Sequence, residues 1–318
     1  MNEKRYLPEG MRLRSAENIT LTSGIDGLLR AAAQNKIVEG IAVRCDCSSM
    51  RLEINFGSIT GYIERDEAVY MHNGENVKDI AIITRVGKAV VCKVLSVETT
   101  GGVPYVRLSR KAVQEECMQN YLLKKNAGDI IPARITHMEP FGAFADIGCG
   151  IISLLSIDCI SVSRISHPSD RFRVGDRIMA VVHHIDRVSG RINLTHKELL
   201  GTWMENVVSF MPTQTVPGII RSVEPYGAFV ELAPNLTGLA ELKNGLEPGM
   251  TCTAYIKNII PERMKIKLAV VDTYTELSPV PMKYYVDTNT ISHIDLWRYS
   301  PPTCAKQITT VFAEDNVH

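Results

Sequence analysis

His137–Gly150 reads HMEPFGAFADIGCG, and Ser222–Asn235 reads SVEPYGAFVELAPN. Pro132 matches Pro217, Glu139 matches Glu224, Pro140 matches Pro225, Phe141 matches Tyr226, Gly142 matches Gly227 and Phe144 matches Phe229, all at one offset of 85 residues. The match resumes between Arg173–Leu194 and Glu247–Leu268 at an offset of 74, so the earlier copy holds an 11-residue insertion around SVSRISHPSDRF. A chain with such self-similarity folds as repeated units, each with its own core.

A fainter copy precedes these two. RVGKAVVCKVLSVE (Arg85–Glu98) matches RVGDRIMAVVHHID (Arg173–Asp186), and RLSRK (Arg107–Lys111) matches NLTHK (Asn193–Lys197). Its aromatic pair is missing, and Ser49 and Leu52 fall where the rings would sit. Segments such as IIPARITHM, GAFADI, IISLL, DRIMAVVHHID and RINLT are short, rich in Ile and Val, and separated by Gly, Asp and Ser, which is a strand pattern. Five strands in about 70 residues make a small barrel of the OB type, which closes most sheet edges. Ala112–Asn126 places Val113, Cys117, Tyr121 and Leu122 on one helical face, and His196–Phe210 does the same with Leu199, Leu200, Trp203, Val207 and Phe210.

The fold class expected is mainly β: a tandem array of three five-stranded OB-fold barrels joined by short helices, with a C-terminal β or irregular extension. The divisions are an N-terminal extension (1–35), a degenerate barrel (36–113), a linker helix (114–127), a barrel (128–198), a linker helix (199–213), a barrel (214–272) and the extension (273–318). In that extension a hairpin is expected around Thr288-Asn289-Thr290, packed on the last barrel.

The paired rings admit two readings. In an ideal strand, positions i and i+3 face opposite ways. The glycine between the rings permits a bulge or an unusual turn that brings both onto one outer face. There they form a platform for unstacked bases, worth about 1–3 kcal/mol per base. The alternative is that both rings fill the core. Arg134 and Arg221 precede the rings, Arg191 and Lys265 occupy matching positions in the last hairpin, and Arg263, Lys265 and Lys267 alternate along one strand face. They form either a phosphate track or a solvated face.

Thirty-five basic and 35 acidic residues give a net charge of zero. The balance holds locally: 11 and 11 over residues 36–117, 8 and 8 over 128–200, 6 and 6 over 214–272. Gripping duplex DNA by its phosphates calls for a basic excess. Binding of nucleic acid by this chain must therefore lean on stacking and on local charge placement. Eight scattered cysteines without CxxC spacing give no zinc site and fit a cytoplasmic protein; no metal or other cofactor is expected. No apolar stretch of about 18 residues exists, so no membrane association is expected. Nucleophile-elbow, zinc-helix, phosphate-loop and dinucleotide motifs are all missing, and no catalytic residue or enzyme activity is expected.

EPFGAFADIGCG, RVGDRI and DRVSGRINLTHK, and in the last copy EPYGAFVEL, NLTGLAEL and RMKIKLAV, resemble the S1 RNA-binding domain of small-subunit ribosomal protein 1. The likeness covers roughly residues 36–272. A poor first copy, two good ones and a tail are similar to the short three-copy, clostridial-type bacterial forms of that family. The resemblance implies base stacking by Phe141, Phe144, Tyr226 and Phe229. It implies phosphate or base-edge contacts by Arg191 and Lys265, with Asp186 placing its hairpin. The family's third-strand histidine is replaced by Ser156 and Glu241, and Asp186 by Ile260 in the last copy. The partners implied are single-stranded RNA, in particular mRNA, and the small ribosomal subunit or another protein through the first barrel. Two alternatives stay open: an accessory RNA-processing factor, and a protein-interaction scaffold built from OB barrels.

Overall fold

A computed structural model describes residues 5–71, 77–100, 103–274 and 282–312. Its strands close into three five-stranded barrels. The first comprises β1 (Val38–Cys45), β2 (Leu52–Asn55), β3 (Thr60–Ile63), β4 (Ala89–Thr100) and β5 (Val103–Ser109). The second comprises β6 (Ile130–Glu139), β7 (Gly142–Asp146), β8 (Ile152–Ser156), β9 (Arg177–Asp186) and β10 (Arg191–Thr195). The third comprises β11 (Thr215–Glu224), β12 (Gly227–Ala233), β13 (Leu236–Ala240), β14 (Thr251–Ile260) and β15 (Lys265–Tyr274). In each barrel the third strand meets the fifth in parallel and all other pairings are antiparallel. The chain is thus mainly β, a tandem of OB-like barrels with a small C-terminal strand pair, as the repeat foretold.

Alternation explains each core. Along β7 and β12, Ala143, Ala145, Ala228 and Val230 point inward and are buried, while Phe144 and Phe229 between them are not. Helices α1 (Ala16–Thr22) and α2 (Ile25–Ala33) lean on the first barrel, with Leu21, Leu28 and Ala31 in its core. After α3 (Asp79–Ile83), helix α4 (Lys111–Asn120) buries Val113 and Cys117, and Tyr121 and Leu122 follow into the second barrel's core. The stretch 196–210 is not one helix. Gly201 sits at φ 81°, and Thr202 caps a new start with its hydroxyl on the Glu205 amide, so only Trp203–Val207 (α5) is α-helical.

Two seams join the barrels, and each is built on a buried carboxylate. Residues 5–13 run between the first and second barrels. There Arg110 grips Glu9 with Nε–Oε1 2.8 Å and Nη2–Oε2 3.1 Å, and both side chains are buried. The Glu9 amide donates to Asp146 at 2.7 Å, and the amides of Gly148 and Gly150 donate to the other Asp146 oxygen. The GCG turn thus serves as a dock, with the Cys149 amide on the Leu7 carbonyl at 3.0 Å. Burial, together with the charge of Glu9, raises the Asp146 carboxyl to about 7. At the second seam Glu231 is fully buried and paired with Arg171 at 2.7 Å and with Arg221, which also reaches Asp170 at 2.9 Å. Asp170 and Arg171 belong to the 11-residue insertion, so the extra residues of the second copy serve to hold the third barrel.

The C-terminal extension packs on two barrels. Trp297 and Tyr299 are buried in the third barrel's core, on and beside β16 (Leu296–Arg298), which pairs with β17 (Thr309–Val311). Gly128 and Ile130 of the second barrel exchange backbone bonds with Ile294 and Ser292. No hairpin forms around Thr288-Asn289-Thr290. Asp287 captures the Asn289 amide and the Thr290 hydroxyl in a local turn, and the flanking residues dock instead of pairing. His196 lies under this extension, hydrogen-bonded to Tyr284 Oη at 3.1 Å, and burial pushes its imidazole down to about 4.

Two outcomes test these seams. Glu231→Ala leaves Arg171 buried and unpaired, and costs about 3–5 kcal/mol in urea unfolding; a loss below about 0.5 kcal/mol contradicts the seam. His196 has a depressed pKa, so its contribution is complete above pH 6.5 and fades between about pH 6.5 and 4. Replacing it with Gln flattens the fall of thermal stability over that window, and an unchanged pH profile rules the assignment out.

Candidate nucleic-acid interface

Both ring pairs lie on the outside of their barrels. Phe141 is 55% exposed and Tyr226 67%, while Phe144 and Phe229 are half-buried. Phe141 meets Phe144 edge-on, with centroids 6.0 Å apart and planes at 89°; Tyr226 meets Phe229 at 6.2 Å and 89°. Such T-shaped pairs are favourable, and they leave ring surface open to solvent. The core reading of these rings is thereby excluded.

The arrangement has a local cause that differs from the expected one. Phe141 and Tyr226 sit in the turn before their strands, so strand alternation does not govern them. The bulge lies on the partner strand, between Ile135 and His137 and between Ile220 and Ser222. The glycines answer a different need. A Cβ on Gly142 would stand 2.6 Å from the Leu155 carbonyl oxygen, and one on Gly227 2.4 Å from that of Ala240. They allow the turn to press against the third strand, where the Phe141 carbonyl accepts from the Ile157 amide at 3.0 Å.

Strand register lays out the surroundings. Phe144 pairs with Leu154, which pairs with Asn193; Phe229 pairs with Leu239, which pairs with Lys267. Each ring therefore heads a row across the second, third and fifth strands. Arg191 and Lys265 lie two residues before Asn193 and Lys267 on the same exposed strand face. Arg263 does not share it, because Pro261 opens a 3-10 turn (Pro261–Arg263) and Met264 is left-handed, ending the alternation. Asp186 accepts from the Val188 and Ser189 amides and the Ser189 hydroxyl, which fixes the hairpin carrying Arg191 and holds its own carboxyl below the usual range.

Two basic residues are engaged elsewhere. Arg221 is nearly buried in the Glu231–Asp170 network, and Arg134 donates to the Glu9 carbonyl at 2.7 Å in the first seam. Neither stands beside the rings as a free cation. One neighbour escaped the sequence reading: His137, opposite Phe144 in register, lies 6.1 Å from it with planes at 24° and contacts Glu139 at 2.6 Å. His183 and His184 both face solvent, because a bulge on β9 interrupts alternation between them. Among the described residues no cluster of His, Cys, Asp and Glu could hold a metal, and no helix is long and apolar enough to cross a membrane.

The close approach at the glycines is testable. Gly227→Ala forces the turn off β13 and costs on the order of 1–3 kcal/mol in urea unfolding; a neutral substitution shows that the contact does not shape the turn.

Comparison with known proteins points the same way. Residues 124–197 match the model of the S1 RNA binding domain. The small ribosomal subunit protein bS1 of Staphylococcus aureus (strain COL) is 30% identical over 203 residues, 57% of this chain and 52% of that protein. The bS1 of Chlamydia trachomatis is 28% identical over 232 residues, 69% of this chain and 40% of that protein. The chain thus spans about half the length, or less, of these curated relatives. A multidomain protein with nucleic acid binding domains from Streptococcus pneumoniae is 15% identical over 76% of this chain and 75% of that one, at a TM-score of 0.25, a likeness too loose to build on. Residues 124–197 thus match an S1 RNA binding domain, and the chain as a whole is similar to bS1 proteins over part of their length.

Proposed function

We propose that this protein is a non-catalytic, cytosolic single-stranded RNA-binding protein of the ribosomal S1 type that holds mRNA during translation. The observation that carries the reading is the duplicated ring pair, exposed and T-shaped in both the second and third barrels. Unstacked bases lie on Phe141 and Phe144, and on Tyr226 and Phe229, while Arg191, Lys265 and Lys267 meet phosphate. Every base has a π-face, so this mode is tolerant of sequence. It also suits a chain without net charge, since stacking carries the affinity that a basic surface supplies elsewhere. Two modules on one strand raise affinity through effective concentration. The small ribosomal subunit is the assembly on which such a chain would present mRNA, as the names of its bS1 relatives suggest.

The test is binding of a fluorescent 20-nucleotide oligouridylate by the full chain and by the Phe141→Ala, Phe144→Ala, Tyr226→Ala, Phe229→Ala variant, after its melting curve shows it folded. Loss of about 1–3 kcal/mol per stacked base is expected. Equal binding by both proteins sinks the stacking reading. Binding by neither favours a protein-interaction scaffold, and the neutral surface is the observation on that side.

A further inference from the structure

The first barrel lacks the ring pair of the others, but register shows where aromatic residues have gone. Its row across the second, third and fifth strands is Glu53, Tyr62 and Arg107. Glu53 therefore stands where Phe144 and Phe229 stand, and Met50, three residues earlier, takes the place of Phe141 and Tyr226. Ser49 and Leu52, the positions matched by residue identity, each fall one residue short of these; Leu52 is in fact fully buried. Counting two residues back from Arg107, as from Asn193 and Lys267, puts Tyr105 where the other barrels carry Arg191 and Lys265. The third-strand leucines, Leu154 and Leu239, become Tyr62. Rings have been lost from the second strand and gained on the third and fifth.

These two rings form a unit. Tyr62 and Tyr105 stack with centroids 4.9 Å apart and planes at 15°. Both are half-buried, so part of each remains open to solvent. The Arg51 guanidinium lies 5.0 Å from the Tyr62 centroid, and the Tyr105 hydroxyl donates to Glu64 at 3.1 Å. The nearby carboxylates have internal partners: Glu53 faces Arg44 at 3.9 Å, Glu64 takes the tyrosine hydroxyl, and Glu98 takes the Ser96 hydroxyl at 3.1 Å. Arg107, in the same row as Tyr62, is exposed and has no ion pair or side-chain hydrogen bond among the described residues. Its position matches Lys267 of the third barrel.

We propose that Tyr62 and Tyr105 form a third base-stacking site for single-stranded RNA, with Arg107 meeting the adjoining phosphate. The inference rests on the reading of the other two barrels as RNA platforms, and it departs from the expectation that the first barrel docks the small ribosomal subunit or another protein. A basic peptide is the less favoured occupant: Arg51 already fills the cation position over Tyr62, and the carboxylates are engaged. An RNA phosphate, by contrast, finds an uncommitted arginine beside paired rings. The first barrel is tied to the second through Glu9 and Arg110, so the site rides on the same body as the Phe141–Phe144 platform.

The test uses the full chain and a 30-nucleotide oligouridylate. Tyr62→Ala with Tyr105→Ala weakens binding about five- to a hundredfold, the range for loss of one stacked base, while Tyr62→Phe with Tyr105→Phe retains it. Arg107→Gln weakens it less and makes the salt dependence shallower. If the double alanine variant binds as tightly as the unmodified protein while the four-ring variant of barrels two and three loses affinity, the third site is overturned and the two-platform reading survives. If the unmodified protein itself fails to bind, both fall. If the double alanine variant keeps RNA but no longer sediments with small ribosomal subunits, the rings belong to a protein contact and the proposal is overturned. A readout independent of variant folding is photocrosslinking of the unmodified protein to RNA carrying 4-thiouridine. Adducts on Tyr62 or Tyr105 are expected beside those on Phe141 and Tyr226, and adducts confined to the second and third barrels contradict the site.

Discussion

The structure hangs on a carboxylate buried at the same place in two barrels. Asp146 is the fifth residue of β7 and Glu231 the fifth of β12, and each is sealed from water by the segment that precedes or joins its barrel. A buried charge is costly unless it is paired and hydrogen-bonded. These two are met by backbone amides of Glu9, Gly148 and Gly150 in one case and by Arg171 and Arg221 in the other. That cost enforces specificity: a shifted seam would strand a buried carboxyl group without partners. The corresponding residue of the first barrel is Asn55, and it is exposed.

The same short strand therefore has two jobs at its two ends. Its first residue is the glycine that presses the ring turn against the third strand, and its fifth is the seam carboxylate. Five residues of strand span about 15 Å, which keeps the seam and the rings apart. The rings stay open because the barrels are joined through the opposite strand end. Fixed seams matter for function as well. In the proposed reading, a strand of RNA held at two sites gains most from the second when the spacing between them matches the strand's reach.

Much of this was legible in the sequence, because repetition reports architecture and strand period reports the core. The three barrels, the paired rings and the helix carrying Val113 and Cys117 all follow from spacing. What escaped depends on contacts distant in sequence. Nothing around Arg221 announces that Asp170 and Glu231 will bury it, and nothing in LPEG shows that Glu9 will be gripped by Arg110. Single residues that break a period were equally hidden: Gly201 divides one expected helix, Pro261 removes Arg263 from its strand face, and the bulge at His183 turns two histidines outward. The degenerate first copy misled most. Alignment by residue identity lost the register there, whereas backbone pairing recovers it and shows Tyr62 and Tyr105 where no ring was sought.

The central claim is that ring platforms on joined barrels hold one RNA strand together. It is tested most directly by affinity as a function of RNA length, with oligouridylates from about 6 to 30 nucleotides at one fixed salt concentration. The account predicts weak binding of the shortest strands, then a rise of about a hundredfold or more over a narrow range of lengths as one strand comes to span two platforms. A rise merely proportional to the number of positions on the strand, with no such step, would show that the barrels bind independently and would contradict the account.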